Sequence, residues 1–318
     1  MTVKRYIARG AVVLGGGGFI GSALRRRLAL DGVPVTVLSR SPAKVPASPN
    51  ERWIIANLAD TAALEQALEP DVDIYHLISD SIPAKGNWDI EQDILRSVLP
   101  TLALLKAAVQ NNARRLIFVS SGGTVYGTPS ALPIREDAPT NPISAYGVAK
   151  LTLEKYLLLF NRHHGLDCRI LRVANPYGPG QVANRQQGVV ANLLHQALTG
   201  TPFQIWGDGS VARDFVHVDD VAESLQLVAD YIGEERIFNV GSGKAITIAQ
   251  IADDIAATLK IPDHPRIHHQ TRSFDVPINY LDISLIQGAI GWSPRIEWHE
   301  GLRQTAGWMR SSQQEHFC

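Results

Sequence analysis

The chain has 318 residues, enough to bury a large core, so one domain or two closely fused lobes are expected. Its 30 basic and 31 acidic residues nearly balance, which gives no support for a polyanion-binding surface and sets nucleic acid aside as a partner. Cys168 and Cys318 are too few for a disulfide framework, the basic start Met1 to Gly10 lacks a signal-peptide apolar core, and no window reaches the roughly 18 apolar residues of a membrane span; a soluble cytoplasmic protein without a membrane partner is expected.

In chain order, the apolar run Ala11-Val12-Val13-Leu14 leads into Gly15-Gly16-Gly17-Gly18-Phe19-Ile20-Gly21 and then a predicted helix over 22–30, whose Leu24, Leu28 and Leu30 suit a sheet face. Strand, glycine turn and helix are the context of a dinucleotide-binding loop. Gly15, Gly18 and Gly21, spaced G-x-x-G-x-x-G, let the backbone turn tightly, approach a pyrophosphate and offer it helix N-terminal N–H groups. An ordinary glycine-rich turn is the plain alternative.

Further apolar runs at 35–38, 53–56, 74–78, 116–119 and 168–173 are separated by helical patterns at 95–109 and 148–160. Continuous apolar strands between helices predict a parallel sheet buried on both faces, hence a doubly wound α/β (Rossmann) fold. After Ala174 the character changes: a polar stretch to Gln187 reads as a loop, followed by a helix at 189–198, a strand at 203–206, a helix at 219–232, a strand at 237–240 and a helix at 248–259. Residues 1–174 are therefore expected to form the dinucleotide domain with its catalytic helix. Residues 175–318 are expected to form mainly a smaller mixed α/β substrate lobe, with room for one or more elements to return to the sheet.

In Tyr146-Gly147-Val148-Ala149-Lys150 the tyrosine and lysine are four apart and share a helix face. An ammonium beside a phenol favours the phenolate and draws its pKa down from about 10 toward the working range, which makes Tyr146 a candidate for moving a proton. A surface Tyr/Lys pair would look the same in isolation.

In this order and at this separation, the glycine loop and Tyr-x-x-x-Lys resemble the extended short-chain dehydrogenase/reductase superfamily, especially its nucleotide-sugar epimerases and dehydratases. Asp73-Ile74-Tyr75-His76-Leu77 is similar to the superfamily's fourth-strand motif ending His-Leu-Ala-Ala, with Ile78 and Ser79 in the last two places. His76 lies in an apolar run and reads as a packed histidine. Ser120-Ser121-Gly122-Gly123-Thr124-Val125-Tyr126-Gly127 is similar to the strand-end motif that places a Ser or Thr hydroxyl on the substrate oxygen, but Gly122 stands where that hydroxyl belongs. Thr124, Ser121 or a water must then take its role, and Thr124, expected on the same strand end, is favoured. Gly123 and Thr124 also occupy the places where dehydratases and decarboxylases carry acids, which speaks against dehydration.

Three C-terminal motifs complete the resemblance. Arg172-Val173-Ala174-Asn175-Pro176-Tyr177-Gly178-Pro179, Arg213-Asp214-Phe215-Val216-His217-Val218-Asp219-Asp220 and Arg272-Ser273-Phe274-Asp275 are similar to family motifs whose Asn and two Arg contact the sugar-nucleotide diphosphate and whose Asp takes the ribose. Two arginines suit a diphosphate, since each bonds phosphate oxygens bidentately. The lobe most resembles UDP-glucose 4-epimerase-like enzymes. By that resemblance Tyr146 is base then acid, Lys150 keeps it ionised, Ser121, Asn175, Arg213, Arg272 and Asp275 hold substrate, and Asn279 gates the space near the sugar C2 substituent.

The same resemblance assigns the nicotinamide cofactor to Gly15, Gly18, Phe19, Ile20, Gly21, Ser39, Arg40, Asn57, Leu58, Leu77, Ile78, Ser120, Tyr146 and Lys150, and calls for no metal. Ser39-Arg40 stands where NAD-preferring members carry an Asp for the ribose 2′-hydroxyl; Ser plus Arg accept a 2′-phosphate, so NADP is weighed with NAD. Alternatively Arg40 stacks on adenine, and Asn57 accepts from adenine N6. The expected activity is 4-epimerisation of a UDP-hexose through a 4-keto intermediate, for surface polysaccharide or sugar interconversion. An NADPH-dependent 4-ketoreductase is the alternative, and a non-catalytic nucleotide-binding regulator is a third reading. Superfamily members commonly pair two helices per subunit, so 95–109 and 148–160 are expected to form a homodimer interface.

Overall fold

A computed structural model describes residues 10–42, 49–79, 90–183, 188–271 and 276–315. The chain opens with β1 (Ala11–Leu14) and α1 (Phe19–Leu30), followed by β2 (Val35–Ser39), β3 (Glu51–Ile55), α2 (Thr61–Ala67) and β4 (Asp73–His76). A helical stretch then passes from α3 (Ile90–Asp93) through a π turn (Ile94–Val98) into α4 (Leu99–Gln110). Next come β5 (Arg115–Ser121), α5 (Ala145–His164), β6 (Asp167–Val173) and β7 (Asn175–Tyr177). The rest consists of α6 (Val189–Leu198), β8 (Phe203–Trp206), β9 (Ala212–His217), α7 (Val218–Ala229), β10 (Ile237–Val240), β11 (Ala245–Thr247), α8 (Ile248–Leu259), β12 (Arg266–His269), β13 (Ile278–Asn279), α9 (Ser284–Ile290) and α10 (Trp298–Glu315).

Seven strands form one wholly parallel sheet in the order β10-β6-β5-β4-β1-β2-β3. Successive residues of its strands feed opposite layers. Val13 packs on one side with Leu24 and Leu28 of α1 and Val221 and Leu225 of α7, while Val12 and Leu14 pack on the other with Leu64, Leu104 and Leu157. Burial of both faces is why these strands read as unbroken apolar runs. The strand order reverses between β1 and β4, the switch point at which open α/β sheets hold ligands beyond the strands' carboxyl ends.

The last third of the chain serves two layers. β10 pairs with β6 at the sheet edge, and α7 packs on α1, with Arg27 3.0 Å from Glu223. A separate core joins α6, α8 and α10 to β8 and β9 through Val190, Leu194, Phe203, Ile251 and Leu302.

Several local expectations are corrected. Leu30 is 86% exposed, because the sheet-facing stripe of α1 ends at Leu28. The helix expected over 219–232 ends at Ala229, leaving Ile232 in solvent. The pattern at 95–109 hides the π turn: Pro100 cannot donate to the carbonyl of Arg96 and its ring crowds it, and the wider turn before it relieves both. β7, only Asn-Pro-Tyr, falls where a loop was expected and is a strand because it pairs with β9.

Candidate active site

The glycine loop packs backbone on backbone. Gly15 takes φ +84°, its N–H donates to the Leu38 carbonyl (2.9 Å), and its own carbonyl accepts from Gly18 N–H (3.0 Å). A Cβ on Gly21 would lie 2.4 Å from the Gly15 oxygen and 2.7 Å from Gly16 Cα, so only glycine lets α1 approach the loop this closely. α1 begins at Gly18 without a side-chain cap and without an acid in its first turn, which suits an anion at its N–H groups. Phe19 and Ile20 follow at the start of that helix.

Under the loop lies a support that motif reading missed. Buried Arg25 donates through Nε to the Gly16 carbonyl (2.8 Å), pairs with Glu51 (2.6 Å) and stacks 4.8 Å above the Trp53 ring. In sequence it looks like any helix-surface charge. Ser39 ends β2 with its Oγ 3.0 Å from where a Cβ on Gly17 would stand, and Arg40 follows, exposed. Asn57 is exposed and its side-chain oxygen accepts from Ala59 N–H (3.2 Å), while Leu58 is buried.

Tyr146 is the second residue of α5, whose start is capped by Ser144 accepting from Gly147 N–H (3.2 Å). The hydroxyls of Ser79 and Ser121 lie close to the phenol. Burial pushes its pKa above the ordinary value, and the two nearby serine hydroxyls pull it back. Lys150 is buried beneath: Nζ donates to the Val119 carbonyl (2.9 Å) and sits 4.7 Å from the Phe118 ring centre and 5.8 Å from that of Tyr146. Burial lowers its pKa to about 8, against the opposing charge of Glu154. A small cleft opens here, lined by Leu58, His76, Ile78, Ser79, Tyr146 and Lys150 among others. Leu77 and Ile78 carry the chain from the end of β4 to Ser79.

His76 is packed, as its apolar setting suggests. Its Nε2 lies 2.8 Å from Thr101 Oγ, which itself donates to the Ser97 carbonyl (2.7 Å), so Nε2 carries the proton. Burial, with the Lys150 charge second, lowers its pKa to about 3 and leaves it neutral.

Gly122 reports how the missing hydroxyl is handled. A Cβ there would sit 2.6 Å from Leu281 Cδ1 and 3.0 Å from the Arg172 carbonyl, so the place is filled by core. Thr124 lies in the turn beyond β5 and not on the strand end expected for it; its Oγ is buried without a partner among the described residues. On this strand the hydroxyl that meets Tyr146 is that of Ser121.

A second network was invisible to motif reading. Ser120 Oγ donates to Glu154 (2.5 Å), which pairs with Arg172 (2.7 Å); Arg172 donates to Tyr126 Oη (3.0 Å), and Tyr126 to Asn239 Oδ1 (2.7 Å). Glu154 lies one turn beyond Lys150, so the network pins the catalytic helix to β5, β6 and β10. Five polar groups scattered over 120–239 carry no local signal.

On the substrate side, Asn175 Nδ2 donates to the Asp214 carbonyl (2.9 Å), and Arg213 Nη1 donates to the carbonyls of Ala212 (2.9 Å) and Val276 (2.5 Å). Asp214 is an internal clamp, accepting from Ser242 and from the N–H groups of Gly243 and Leu281. Asn279 on β13 reaches the Gly122 carbonyl (3.4 Å), and its Oδ1 is buried without a partner among the described residues. Arg272 and Asp275 lie outside the described residues. Free Cys168 is buried in β6, and burial raises its pKa. Among the described residues no helix is long and apolar enough to cross a membrane.

A family model described as NAD dependent epimerase/dehydratase family matches residues 11–241. A UDP-glucose 4-epimerase of Mycolicibacterium smegmatis is 34% identical over 312 residues, covering 95% of this chain and 99% of that protein. A dTDP-4-dehydro-6-deoxyglucose reductase of Escherichia coli is 29% identical, covering 92% and 95%. Among solved structures, a UDP-glucose 4-epimerase with UDP-glucose from Thermotoga maritima superposes with a TM-score of 0.89 at 30% identity, covering 96% of this chain and 99% of that one.

Proposed function

The chain belongs to the NAD-dependent epimerase/dehydratase family of short-chain dehydrogenase/reductase enzymes, and from that premise we propose that it is a nucleotide-sugar 4-epimerase acting on a UDP-hexose. The observation that carries this reading is the chemistry around Tyr146: among the described residues the polar groups at its phenol are the hydroxyls of Ser79 and Ser121, and Gly122, Gly123 and Thr124 offer no carboxyl group at the end of β5 to expel water from a sugar. Proton transfer paired with hydride exchange at one carbon remains.

The residues fit a nicotinamide dinucleotide, with the closely packed glycine turn and the uncapped N-terminus of α1 for its pyrophosphate and Tyr146 and Lys150 at its ribose. A nicotinamide supplies a hydride acceptor and donor at the sugar C4. Tyr146 takes the proton of the 4-hydroxyl and later returns it, with the Ser121 hydroxyl beside the phenol. Lys150, anchored on the Val119 carbonyl, keeps a positive charge under the ring at neutral pH. The unpartnered Thr124 Oγ and Asn279 Oδ1 suit the hydroxyls of a sugar, and Asn175 and Arg213 its diphosphate. Residues 1–174, with the returned α7 and β10, hold the cofactor, and most of the remaining chain holds the substrate.

A 4-ketoreductase is the second reading, favoured by Ser39-Arg40, which accept the 2′-phosphate of NADPH, and by the likeness to the dTDP-sugar reductase. The enzyme is a homodimer in this proposal: Leu95, Leu99, Val148 and Leu159 are exposed along the π turn, α4 and α5, and a second copy would cover them. Incubation with UDP-glucose and UDP-N-acetylglucosamine, read by NMR, tests the activity. Conversion to the galacto epimers without added cofactor supports the epimerase. Oxidation of added NADPH on a 4-keto sugar, with no epimer formed, replaces it by the reductase.

A further inference from the structure

One peptide of the glycine loop has an orientation that its own residues do not set. The bond between Gly16 and Gly17 has glycine on both sides, so no Cβ opposes rotation of its plane. Arg25 fixes it from below. Its Nε donates to the Gly16 carbonyl at 2.8 Å, while Nη1 meets Glu51 at 2.6 Å and the guanidinium lies 4.8 Å from the centre of the Trp53 ring. Trp53 Nε1 donates to the same Glu51 oxygen at 3.3 Å, so two residues of β3 hold the arginine in place. The side chains of Arg25 and Glu51 are only 6% and 4% exposed. In a trans peptide the C=O and N–H point opposite ways, so holding the Gly16 carbonyl on Arg25 turns the Gly17 N–H away from it. No backbone carbonyl among the described residues takes up that N–H.

We propose that Arg25 is a positioning residue for the cofactor's pyrophosphate: by pinning the Gly16 carbonyl it presents the Gly17 N–H to a phosphate oxygen, beside the uncapped N-terminus of α1. The arginine acts through geometry and not through charge, since Glu51 neutralises it. A buried ion pair is poor evidence of stability, because apolar side chains of similar volume often hold a fold as well. Here the pair has another use, which is to keep the Nε–H against a loop carbonyl. Without that bond the peptide turns over between its two glycines, and the negative end of its dipole faces the phosphate for part of the time.

The inference rests on the nicotinamide dinucleotide and not on the 4-epimerase reading, and binding alone tests it. The full chain, freed of nucleotide, is titrated with NAD⁺, NADP⁺ and ADP-ribose by calorimetry and with adenosine, which lacks the pyrophosphate, by ligand-observed NMR. Arg25→Lys puts a methylene where Nε stands and keeps a cation for Glu51. Arg25→Met with Glu51→Leu removes both charges and leaves none buried alone, and melting curves check that each variant is folded. In both, the three pyrophosphate ligands are expected to bind about tenfold more weakly, by one common factor, and adenosine as in wild type. Wild-type affinity for NAD⁺ in either folded variant overturns the proposal. So does a loss confined to NADP⁺, which would mark a cation serving the 2′-phosphate, or an equal loss for adenosine, which would mark a general loosening of the lobe. If the losses appear as expected but the wild-type protein epimerises no nucleotide sugar, the reaction proposed above is wrong and the role of Arg25 stands.

Discussion

Replacing Glu154 by Gln probes how the catalytic helix is held. Glu154 has no exposure, and its carboxylate accepts from Ser120 Oγ at 2.5 Å and from Arg172 Nε and Nη2 at 3.1 and 2.7 Å. The amide keeps the shape but removes the charge, leaving the Arg172 guanidinium buried against a neutral group. Removing one member of such a pair costs about 3–5 kcal/mol, a large share of the roughly 5–15 kcal/mol that holds a folded protein. Thermal unfolding should fall by roughly 10 °C, and the denaturant midpoint should fall with it. Glu154 also raises the pKa of Lys150, so Glu154→Gln should let Lys150 lose its proton below the present value of about 8 and narrow activity on the alkaline side. The paired replacement Glu154→Leu with Arg172→Met removes both charges and should recover part of the loss, with Ser120 and Tyr126 each short of one partner. A Glu154→Gln protein within about 1 kcal/mol of wild type would refute the reasoning. So would a double variant less stable than the two single losses added together.

The other expectations follow from single contacts. The folded pKa of Lys150 is lowered from 10.5 to about 8, so between those values the unfolded chain binds more protons and stability should rise with pH. Lys150→Met should flatten that rise, by up to about 3 kcal/mol across the window in denaturant titrations. Gly122→Ser should restore no activity and cost about 1–3 kcal/mol by overpacking against Leu281, and adding Leu281→Ala should relieve the clash at the price of a cavity, seen in melting curves. Ser121→Ala should lower kcat more than Thr124→Ala does, since of these two hydroxyls it is that of Ser121 which acts on the Tyr146 phenol; equal losses in steady-state assays would contradict this. Arg40→Ala should weaken NADP⁺ relative to NAD⁺ in binding titrations, and an unchanged ratio would remove the arginine from the ribose site.

Much of the fold was legible because its signals are local. β1, the glycine turn and α1 follow one another within 20 residues, and continuous apolar runs could only be strands covered on both faces. Tyr146 and Lys150 were legible as a pair because helix geometry alone puts them on one face. Their surroundings were less so: the serines at the phenol come from the ends of two other strands, and the lysine is anchored by a strand carbonyl.

The amino-acid sequence by itself determined the parallel sheet, the dinucleotide loop, the tyrosine and lysine, and the absence of a hydroxyl at 122, each written in adjacent residues or in a helical period. Tertiary structure alone decided that Arg25 braces the loop, that Glu154 and Arg172 pin the catalytic helix, that β10 returns to the sheet edge, and that Leu281 closes the space beside Gly122. The physical reason is distance along the chain. A buried charge is stable only beside a partner, and those partners lie 26 residues away for Arg25 and 18 for Arg172, while the contact between Asn279 and Gly122 spans 157, distances no local pattern reports.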